Sequence, residues 1–357
     1  MKRKASIATA AVFLAVLFGF SLLHLALPDR EVSRSERRRL AQLPPLSSGF
    51  SDKLEEYMLD QFPLREQLRT VNSLVRLYGL GQADIHGIYL QGGGAFRMDG
   101  PLQEKQVRHA AAVFSAVQEK YFPSLPAHYV IVPDKNAKAE TSRPRLDTET
   151  MRGIVREALP GMTEIDIWDL LSADDYYKTD PHWRQETLLP VAQRLAEALH
   201  VTLPEDREET LCALAGEFHG SYWSKTAETL AADTLSYLTD DVLEGCTVYD
   251  YETDSTGGVY DFAAAQTAPY DLFLGGSKSL LRIENPAAEN ERTLIVFRDS
   301  FGSSLIPLLA EGYGTVYAVD IRYLASDLLG RVMDIPVEAD VLFLYSATVL
   351  HNSVTLK

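Results

Sequence analysis

The sequence predicts an α/β protein with a mostly parallel central sheet and helices on both faces, preceded by an N-terminal transmembrane helix. Short apolar runs that read as strands occur at 128–132, 163–167, 294–297, 315–319 and 340–345. Most of them are separated by helical segments, and this alternation is typical of parallel sheets. Residues 5–27 contain no Lys, Arg, Asp or Glu. That length of helix crosses a hydrocarbon core of roughly 30 Å.

Composition and charge narrow the class of protein. The chain has 357 residues, of which 46% are hydrophobic and 24% charged, as in ordinary globular proteins. Its formal net charge of −16 argues against nucleic acid or anionic lipid as the main partner. No His or Cys residues have metal-ligand spacing, so we predict no metal and no cofactor. Cys212 and Cys246 could pair outside the cytoplasm or remain buried thiols, and the sequence leaves both open.

The N-terminal apolar run is expected to be an uncleaved anchor over residues 1–28. The cations at 2–4 favour an N-terminus in the cytoplasm. The protein would then be single-pass in the cell membrane, with the bulk of the chain extracytoplasmic. A cleaved signal peptide is the alternative, but its apolar region is usually shorter, and no small-x-small cleavage site precedes Pro28. Arg37, Arg38 and Arg39 follow on the exported side, against the usual charge bias.

Residues 29–80 read as a linker followed by stalk-like helices, and residues 81–357 as one further domain. Apolar residues between Phe50 and Leu80 recur at steps of three and four, and Pro63 divides them into two helices. Glycines at 92–94 predict a hairpin. Further helices are predicted at 103–120, 151–159, 185–200 (with a kink at Pro190) and 327–333. Residues 201–280 are weakly periodic and rich in aromatic and acidic residues, so we expect an insertion there.

Ser300 stands between a buried strand, 294–297, and a helical segment that begins near Leu305. A strand-to-helix turn is where α/β enzymes lift a nucleophilic hydroxyl clear of the sheet. The helix N-terminus behind it offers N–H groups to a developing oxyanion. A serine in this position can also be a simple helix N-cap.

Asp180 and His182 supply the other two groups of a hydrolytic triad. Side chains at positions i and i+2 of an extended segment point the same way, and Pro181 favours extended backbone at Asp180. A carboxylate on one imidazole nitrogen leaves the other free to accept a serine proton. The alternative is structural, with Asp180 as a cap of the following helix and His182 packed under Trp183.

Four further residues are candidates for substrate binding. Lys135 and Asn136 follow the strand at 128–132, which suits a site at the carboxyl edge of a parallel sheet, or an ordinary loop. Tyr222 could stack on a sugar ring or pack in the core. Arg322 could bind an anionic polymer or pair with Asp320.

The segment 179–183 (Thr-Asp-Pro-His-Trp) resembles the signature of the DHHW family. That family is related to the alginate O-acetyltransferases of the AlgX/AlgJ type, which have SGNH-hydrolase-like domains. Other stretches agree in order and spacing, and together they cover roughly residues 50–350: 62–65, 87–89, 132–135, 218–225, 299–307 and 320–323. The resemblance implies an SGNH-hydrolase-like three-layer α/β/α fold, with Ser300 as nucleophile, His182 as general base and Asp180 as its orienting acid.

The resemblance also implies a function. It points to an extracytoplasmic O-acetyltransferase that modifies a cell-surface or secreted polysaccharide, with a membrane-bound O-acyltransferase as acetyl donor. A polysaccharide acetyl esterase and a non-catalytic polysaccharide-binding or assembly subunit are the alternatives. Two positions depart from the family pattern. Pro181 replaces the first histidine of the signature, and Arg298 stands where glycine is usual, so a bulky cation is expected beside the nucleophile turn.

Overall fold

The structure, a computed structural model, describes residues 2–33, 38–204, 210–226 and 229–357. Arg37 of the predicted linker and residues 205–209 and 227–228 of the predicted insertion lie outside the described residues. The helices are α1 (Lys2–Ala26), α2 (Phe50–Asp60), α3 (Arg65–Leu74), α4 (Glu104–Tyr121), α5 (Thr148–Ala158), α6 (Leu189–Ala198), α7 (Asp241–Gly245), α8 (Phe262–Ala265), α9 (Gly302–Ala310), α10 (Leu329–Val332) and α11 (Ala347–His351).

The strands include a large central sheet and three small antiparallel pairs. Their bounds are β1 (Val32–Ser33), β2 (Arg38–Arg39), β3 (Ile88–Gln91), β4 (Gly94–Arg97), β5 (Ala127–Val132), β6 (Met162–Glu164), β7 (Thr210–Ala213), β8 (Ser236–Thr239), β9 (Thr247–Asp250), β10 (Ser255–Gly257), β11 (Leu280–Glu284), β12 (Thr293–Arg298), β13 (Thr315–Val319) and β14 (Asp340–Ser346). The predicted hairpin at 92–94 is the β3–β4 pair.

The central sheet has the strand order β10-β9-β11-β13-β12-β14-β5-β6. The five strands from β13 to β6 are parallel to one another. The mostly parallel sheet expected from the sequence is therefore confirmed. The other three strands pair antiparallel and extend one edge of this sheet. Two of them, β9 and β10, come from the segment predicted as an insertion, and β11 begins where that segment ends.

Alternate residues of β12 face opposite layers of helix. Leu294 and Val296 pack in one core with residues of α6 and α9. Ile295 and Phe297 pack in the other core with residues of α4 and α5. Because both faces of the strand are buried, its sequence is continuously apolar rather than alternating. The sheet is thus the middle layer of a three-layer α/β/α arrangement.

The helices that follow β12 and β14 leave the sheet in opposite directions. Leu305 and Leu309 of α9 pack in the first core, whereas Ala347 and Leu350 of α11 pack in the second. Since β12 and β14 are adjacent and parallel, a crevice opens between their carboxyl ends. Ligands of open α/β sheets bind at such a switch point.

The helix predicted at 185–200 is shorter than expected. Residues Gln185–Thr187 form a 3₁₀ turn, and α6 begins only at Leu189. Pro190 lies in the first turn of α6, so the predicted kink is wrong. A proline there loses no helical hydrogen bond, because the first N–H groups of a helix have no intrahelical acceptor.

Residues around α1 and α2 are tied together. Ser6–Ala26 is long and apolar enough to cross a membrane, and a signal sequence would pass the same test. The Phe20 ring stacks on Phe62 at 5.2 Å between centroids. His24 meets the Tyr57 ring edge-on at 5.5 Å.

The predicted division between α2 and α3 occurs at residues 61–64, around Pro63. Cys212 and Cys246 are both free thiols.

Candidate active site

Ser300 lies in the turn between β12 and α9, and the buried carboxylate of Asp299 shapes that turn. One Asp299 oxygen accepts the Phe301 N–H at 3.0 Å, and the other accepts the Ser346 N–H at 2.8 Å. These bonds fix the turn and join it to the end of β14. Gly302 begins the helix without a side chain, because a Cβ there would lie 2.8 Å from the Cβ of Arg298. Ser300 itself remains half-exposed.

The structure brings Ser300, His182 and Asp180 together. The Ser300 Oγ lies 2.8 Å from the His182 Nε2, and the His182 Nδ1 lies 2.5 Å from the Asp180 Oδ1. Asp180 is fully buried, and its second oxygen accepts the Ser221 N–H at 2.7 Å. A carboxylate at Nδ1 selects the tautomer whose Nε2 accepts the hydroxyl proton. This arrangement can deprotonate Ser300 for attack on an acyl carbon.

The loop that carries Asp180 is held by another acidic residue, Asp233. Its two oxygens accept the N–H groups of Lys178 and Thr179, each at 2.8 Å. The Thr179 Oγ1 donates to Asp233 at 2.5 Å and accepts the Gly220 N–H at 2.9 Å. Asp233 therefore fixes the backbone on which the acid of the triad is mounted. Nothing in its local sequence indicates this contact, which joins segments far apart in the chain.

The His182 ring is held against the helix that follows Ser300. Tyr270 stacks on it with 4.0 Å between centroids and 15° between planes. The Tyr270 hydroxyl lies 3.0 Å from the Ser304 Oγ. The neighbouring Trp183 donates its Nε1–H to the Phe301 carbonyl at 3.1 Å and to the Ser304 Oγ at 3.0 Å. These contacts couple the histidine loop to α9 and limit rotation of the imidazole. Tyr270 lies in the segment predicted as an insertion, where sequence reasoning assigned no functional residue.

Ser300 and His182 open into a cavity of about 270 Å³. It lies at the carboxyl ends of β12 and β14, where the topology predicts a crevice. The nucleophile turn at Ser300 and the loop of His182 form part of its wall. The rest comes from the end of β4, the loop after β5, the 221–225 segment, the end of β14 and α11. These further lining residues are Arg97, Asp99, Asp134, Lys135, Asn136, Ser221, Tyr222, Lys225, Ser346, Thr348 and Val349.

Two buried carboxylates, Asp99 and Asp134, belong to this lining. Burial, together with the negative charge of Asp134, raises the pKa of Asp99 to about 7. Burial also raises the pKa of Asp134. One Asp134 oxygen accepts the N–H groups of Asn136 and Ala137 at 2.8 and 3.2 Å. Its other oxygen has no hydrogen-bond partner among the described residues. Among the residues that the structure describes, no group of three or more His, Cys, Asp or Glu is placed to hold a metal ion.

The Ser300 N–H donates to no acceptor within the described part of the chain, and it lies at the turn that precedes α9. By contrast, the N–H groups of Phe301 and Gly302 are both bonded to Asp299. An unpaired backbone N–H on the nucleophile itself is a donor that suits an oxyanion.

The candidate binding residues differ in what they can reach. The ammonium of Lys135 is buried and donates to the carbonyls of residues 95, 177 and 178 at 2.7–2.9 Å. Its three protons are therefore used, and burial lowers its pKa to about 8. The ammonium ties the hairpin to the histidine loop, and its contact with substrate stays a prediction. Asn136 and Tyr222 are buried and line the cavity.

Arg322 is not among the residues that line the cavity of Ser300, and its role in substrate binding stays a prediction. Its guanidinium pairs with the buried carboxylate of Asp320 through Nη2 at 2.6 Å and Nε at 2.9 Å. The structural alternative, an ion pair at the end of β13, is the one observed.

Arg298 lies against the nucleophile turn, as expected, but its side chain does not line the cavity of Ser300. It is fully buried and donates to the Ser303 Oγ at 2.7 Å and to the Gly276 carbonyl at 3.2 Å. Burial lowers the pKa of this guanidinium, and the nearby Asp320 opposes that shift. Arg298 thus braces the first turn of α9 from beneath and leaves the approach to Ser300 open.

No protein-family model matches the sequence, and no curated protein matches it either. Solved structures do resemble the fold. A DHHW family protein from Eubacterium siraeum has a TM-score of 0.62 at 19% identity, covering 75% of this chain and 93% of that one. Bacillus cereus PatB1 with a sulfonyl adduct has a TM-score of 0.56 at 18% identity, covering 74% and 97%. The O-acetyltransferase domain of Pseudomonas putida AlgJ has a TM-score of 0.47 at 13% identity, covering 74% and 92%. The resemblance expected from the sequence is confirmed at the level of fold.

Proposed function

We propose that this chain is an SGNH-type serine acyltransferase that O-acetylates a cell-surface or other cell-envelope glycan. The observation that carries the proposal is the hydrogen-bonded series Ser300, His182 and Asp180 at the mouth of a cavity. A buried acid, an oriented imidazole and a half-exposed hydroxyl are the parts that acyl transfer requires. The choice of acetyl as the acyl group follows from the sequence resemblance to the DHHW and alginate O-acetyltransferase families.

The first half-reaction forms an acetyl-enzyme. His182 takes the proton of Ser300 through Nε2, and the Ser300 oxygen attacks the carbonyl carbon of an acetyl ester. The free N–H of Ser300 donates to the developing oxyanion. When the tetrahedral intermediate collapses, the protonated His182 returns the proton to the departing alcohol. Acetyl-Ser300 remains.

Asn136 is our candidate for a second oxyanion donor. Its Oδ1 accepts the Tyr89 hydroxyl at 2.7 Å, and its Nδ2 donates to the Pro144 carbonyl at 2.9 Å. These bonds fix the amide in the cavity wall and use one of its two N–H protons. The other is available to a substrate oxygen.

The second half-reaction passes the acetyl group to a sugar hydroxyl. The hydroxyl enters the cavity, loses its proton to His182 and attacks the carbonyl carbon of acetyl-Ser300. The bond from that carbon to the Ser300 oxygen then breaks, and the protonated His182 returns the proton to Ser300, which restores the free serine. Asp99, which lines the cavity, offers an acceptor for a further hydroxyl of the same sugar. The acetyl group would come from a membrane-bound O-acyltransferase, with α1 holding the chain on the extracytoplasmic side of the cell membrane. Water in place of the sugar would make the enzyme an esterase, and the chemistry of the serine would be the same.

The test is turnover of p-nitrophenyl acetate by the full chain, with and without a neutral oligosaccharide. Wild-type protein should release nitrophenol and yield acetylated sugar, Ser300→Ala should do neither, and Ser115→Ala, on the exposed face of α4, should match wild type. Ser300-dependent hydrolysis without acetylated sugar would favour the esterase. No Ser300-dependent turnover, together with glycan binding, would contradict an enzymatic role and favour a non-catalytic subunit.

A further inference from the structure

The outer face of α3 and the turn that follows it carries large apolar residues that nothing in the described chain covers. Leu68 and Val71 are three residues apart in α3 and therefore lie on one side of it, Leu64 directly precedes the helix, and Val75 and Tyr78 lie in the π-helical turn Val75–Gly79 that continues it. Between 43% and 66% of each is exposed. We call these five residues the apolar stripe. An aligned apolar stripe is unusual on a free surface and marks a site of contact.

The opposite side of α3 is occupied by the protein itself. Ser73 is buried, and α3 contacts the turn at Trp223–Lys225. Glu66 accepts the Ser33 hydroxyl at 2.8 Å and lies 3.7 Å from the Arg30 guanidinium. The helix is therefore fixed by one face, and the stripe points away from the domain.

The position of α1 indicates what covers the stripe. Phe20 stacks on Phe62, two residues before the stripe begins. Phe20 lies six residues before the end of α1, or about 9 Å along the helix at 1.5 Å per residue. If α1 crosses a membrane, Phe62 lies within reach of the outer boundary of the acyl region.

The connection between α1 and α2 is held rather than free. The Arg30 N–H and carbonyl are bonded to the side chain of Gln61 at 3.0 and 2.9 Å. Asp60 accepts two N–H groups of Arg38 at 2.7 and 2.5 Å. The segment predicted as a linker thus fastens the membrane end of α1 to the end of α2. The apolar stripe cannot drift far from the plane at which α1 leaves the bilayer.

We propose that the apolar stripe lies in the outer surface of the lipid bilayer as an interfacial helix. Such helices bury their apolar face roughly 5–10 Å into the boundary between headgroups and acyl chains. The interaction depends on apolar burial and needs no anionic lipid, which agrees with the net charge of −16. The proposal rests on the membrane placement of α1 given under the proposed function.

The consequence concerns the orientation of the active site. The Trp223–Lys225 turn that contacts α3 adjoins Tyr222, and both Tyr222 and Lys225 line the cavity of Ser300. With α1 alone in the membrane, α1 and the domain fastened to it could tilt together relative to the bilayer. With α3 also in the bilayer surface, the cavity is held at a fixed height beside the membrane, where a membrane-derived acetyl donor arrives.

The test uses the full chain in phosphatidylcholine vesicles, with a nitrobenzoxadiazole dye on single cysteines in a Cys212→Ser, Cys246→Ala background. The stripe positions are Leu68→Cys and Val71→Cys, and Leu17→Cys within α1 reports insertion. Val337→Cys is the matched control, because Val337 is 91% exposed. It precedes the amino end of β14, whereas the cavity lies at the carboxyl end of that strand. Lipids with a shallow doxyl quencher should quench dyes at 68 and 71 at least twofold more than the dye at 337.

Three results would overturn parts of this account separately. Quenching at 17 with none beyond the control level at 68 and 71 would refute the interfacial helix alone. No quenching at 17, measured with a doxyl group deep in the acyl chains, would refute the membrane placement of α1. The dyes at 68 and 71 could instead be shielded from iodide without being quenched by doxyl lipid. If that shielding is lost when the protein is diluted in lipid, a second copy of the chain covers the stripe.

Discussion

Gly220 packs directly against the backbone that carries the acid of the triad, so its replacement by alanine tests how tightly that acid must be held. A Cβ at this position would lie 2.5 Å from the carbonyl carbon of Thr179 and would also meet the Cβ of Asp180. Ordinary van der Waals contact begins near 3.4 Å. One of the two segments must therefore move by about 1 Å in Gly220→Ala.

That movement would disturb the bonds that orient the imidazole. The Asp180 carboxylate lies 2.5 Å from the His182 Nδ1 and accepts the Ser221 N–H at 2.7 Å, so a shift of 1 Å breaks or misdirects at least one of them. Displacements of this size at an active site lower rates on the order of 100-fold. Overpacking of a well-packed site costs about 1–3 kcal/mol of folding free energy, which leaves a chain of this size folded.

The assay is kcat/KM for p-nitrophenyl acetate, with a thermal melt followed by circular dichroism on the same samples. Gly258→Ala is the matched control, because a Cβ there has no atom within 4 Å. We expect Gly258→Ala to match wild type and Gly220→Ala to lose about two orders of magnitude in kcat/KM while it still melts cooperatively. A folded Gly220→Ala protein with activity within about twofold of wild type would show that catalysis does not depend on holding Asp180 in this position.

Two further substitutions test the cavity and the histidine loop. Burial and the negative charge of Asp134 raise the pKa of Asp99 from 3.8 to about 7. Between these two pH values the native state holds a proton that the unfolded chain has released, so stability falls as pH rises. The loss is about 4 kcal/mol, at roughly 1.4 kcal/mol per pH unit. Denaturant titrations should show a smaller loss between pH 4 and 8 in Asp99→Asn, and an unchanged loss would contradict the assignment. Trp183→Phe removes the donor to Ser304, at a cost of about 1–3 kcal/mol. It should lower kcat/KM more than Trp168→Phe does, and equal effects would argue against a role in holding His182.

The parts of the site that follow from local sequence were accessible to prediction. Asp180 and His182 are two residues apart, and the intervening proline favours the extended backbone that keeps their side chains on one side. Ser300 follows a strand whose continuous apolar run is typical of the middle of a parallel sheet. The structure places these three residues together. Their catalytic role stays a prediction.

The parts that depend on long-range packing were not accessible. Asp233 and Tyr270 come from a weakly periodic segment, and their partners Thr179 and His182 lie more than 50 residues earlier. Local pattern carries no signal for such contacts. Asp99 follows the hairpin, and its raised pKa depends on burial that only the folded chain creates.

The direction of long cationic side chains was also not accessible to prediction. Lys135 and Arg298 are both next to catalytic elements in sequence, yet both are buried and bonded to backbone carbonyls. A long flexible side chain can point toward the substrate or back into the protein. Sequence alone does not distinguish these directions, because each depends on which carbonyls the fold leaves without partners.

Covalent labelling of Ser300 tests whether this serine is a nucleophile that His182 activates. The full chain is incubated with methanesulfonyl fluoride, digested and mapped by mass spectrometry. We expect a single sulfonyl adduct on the peptide that contains Ser300, lost in Ser300→Ala and strongly slowed in His182→Ala. An adduct elsewhere, or labelling of Ser300 at the same rate without His182, would contradict this expectation.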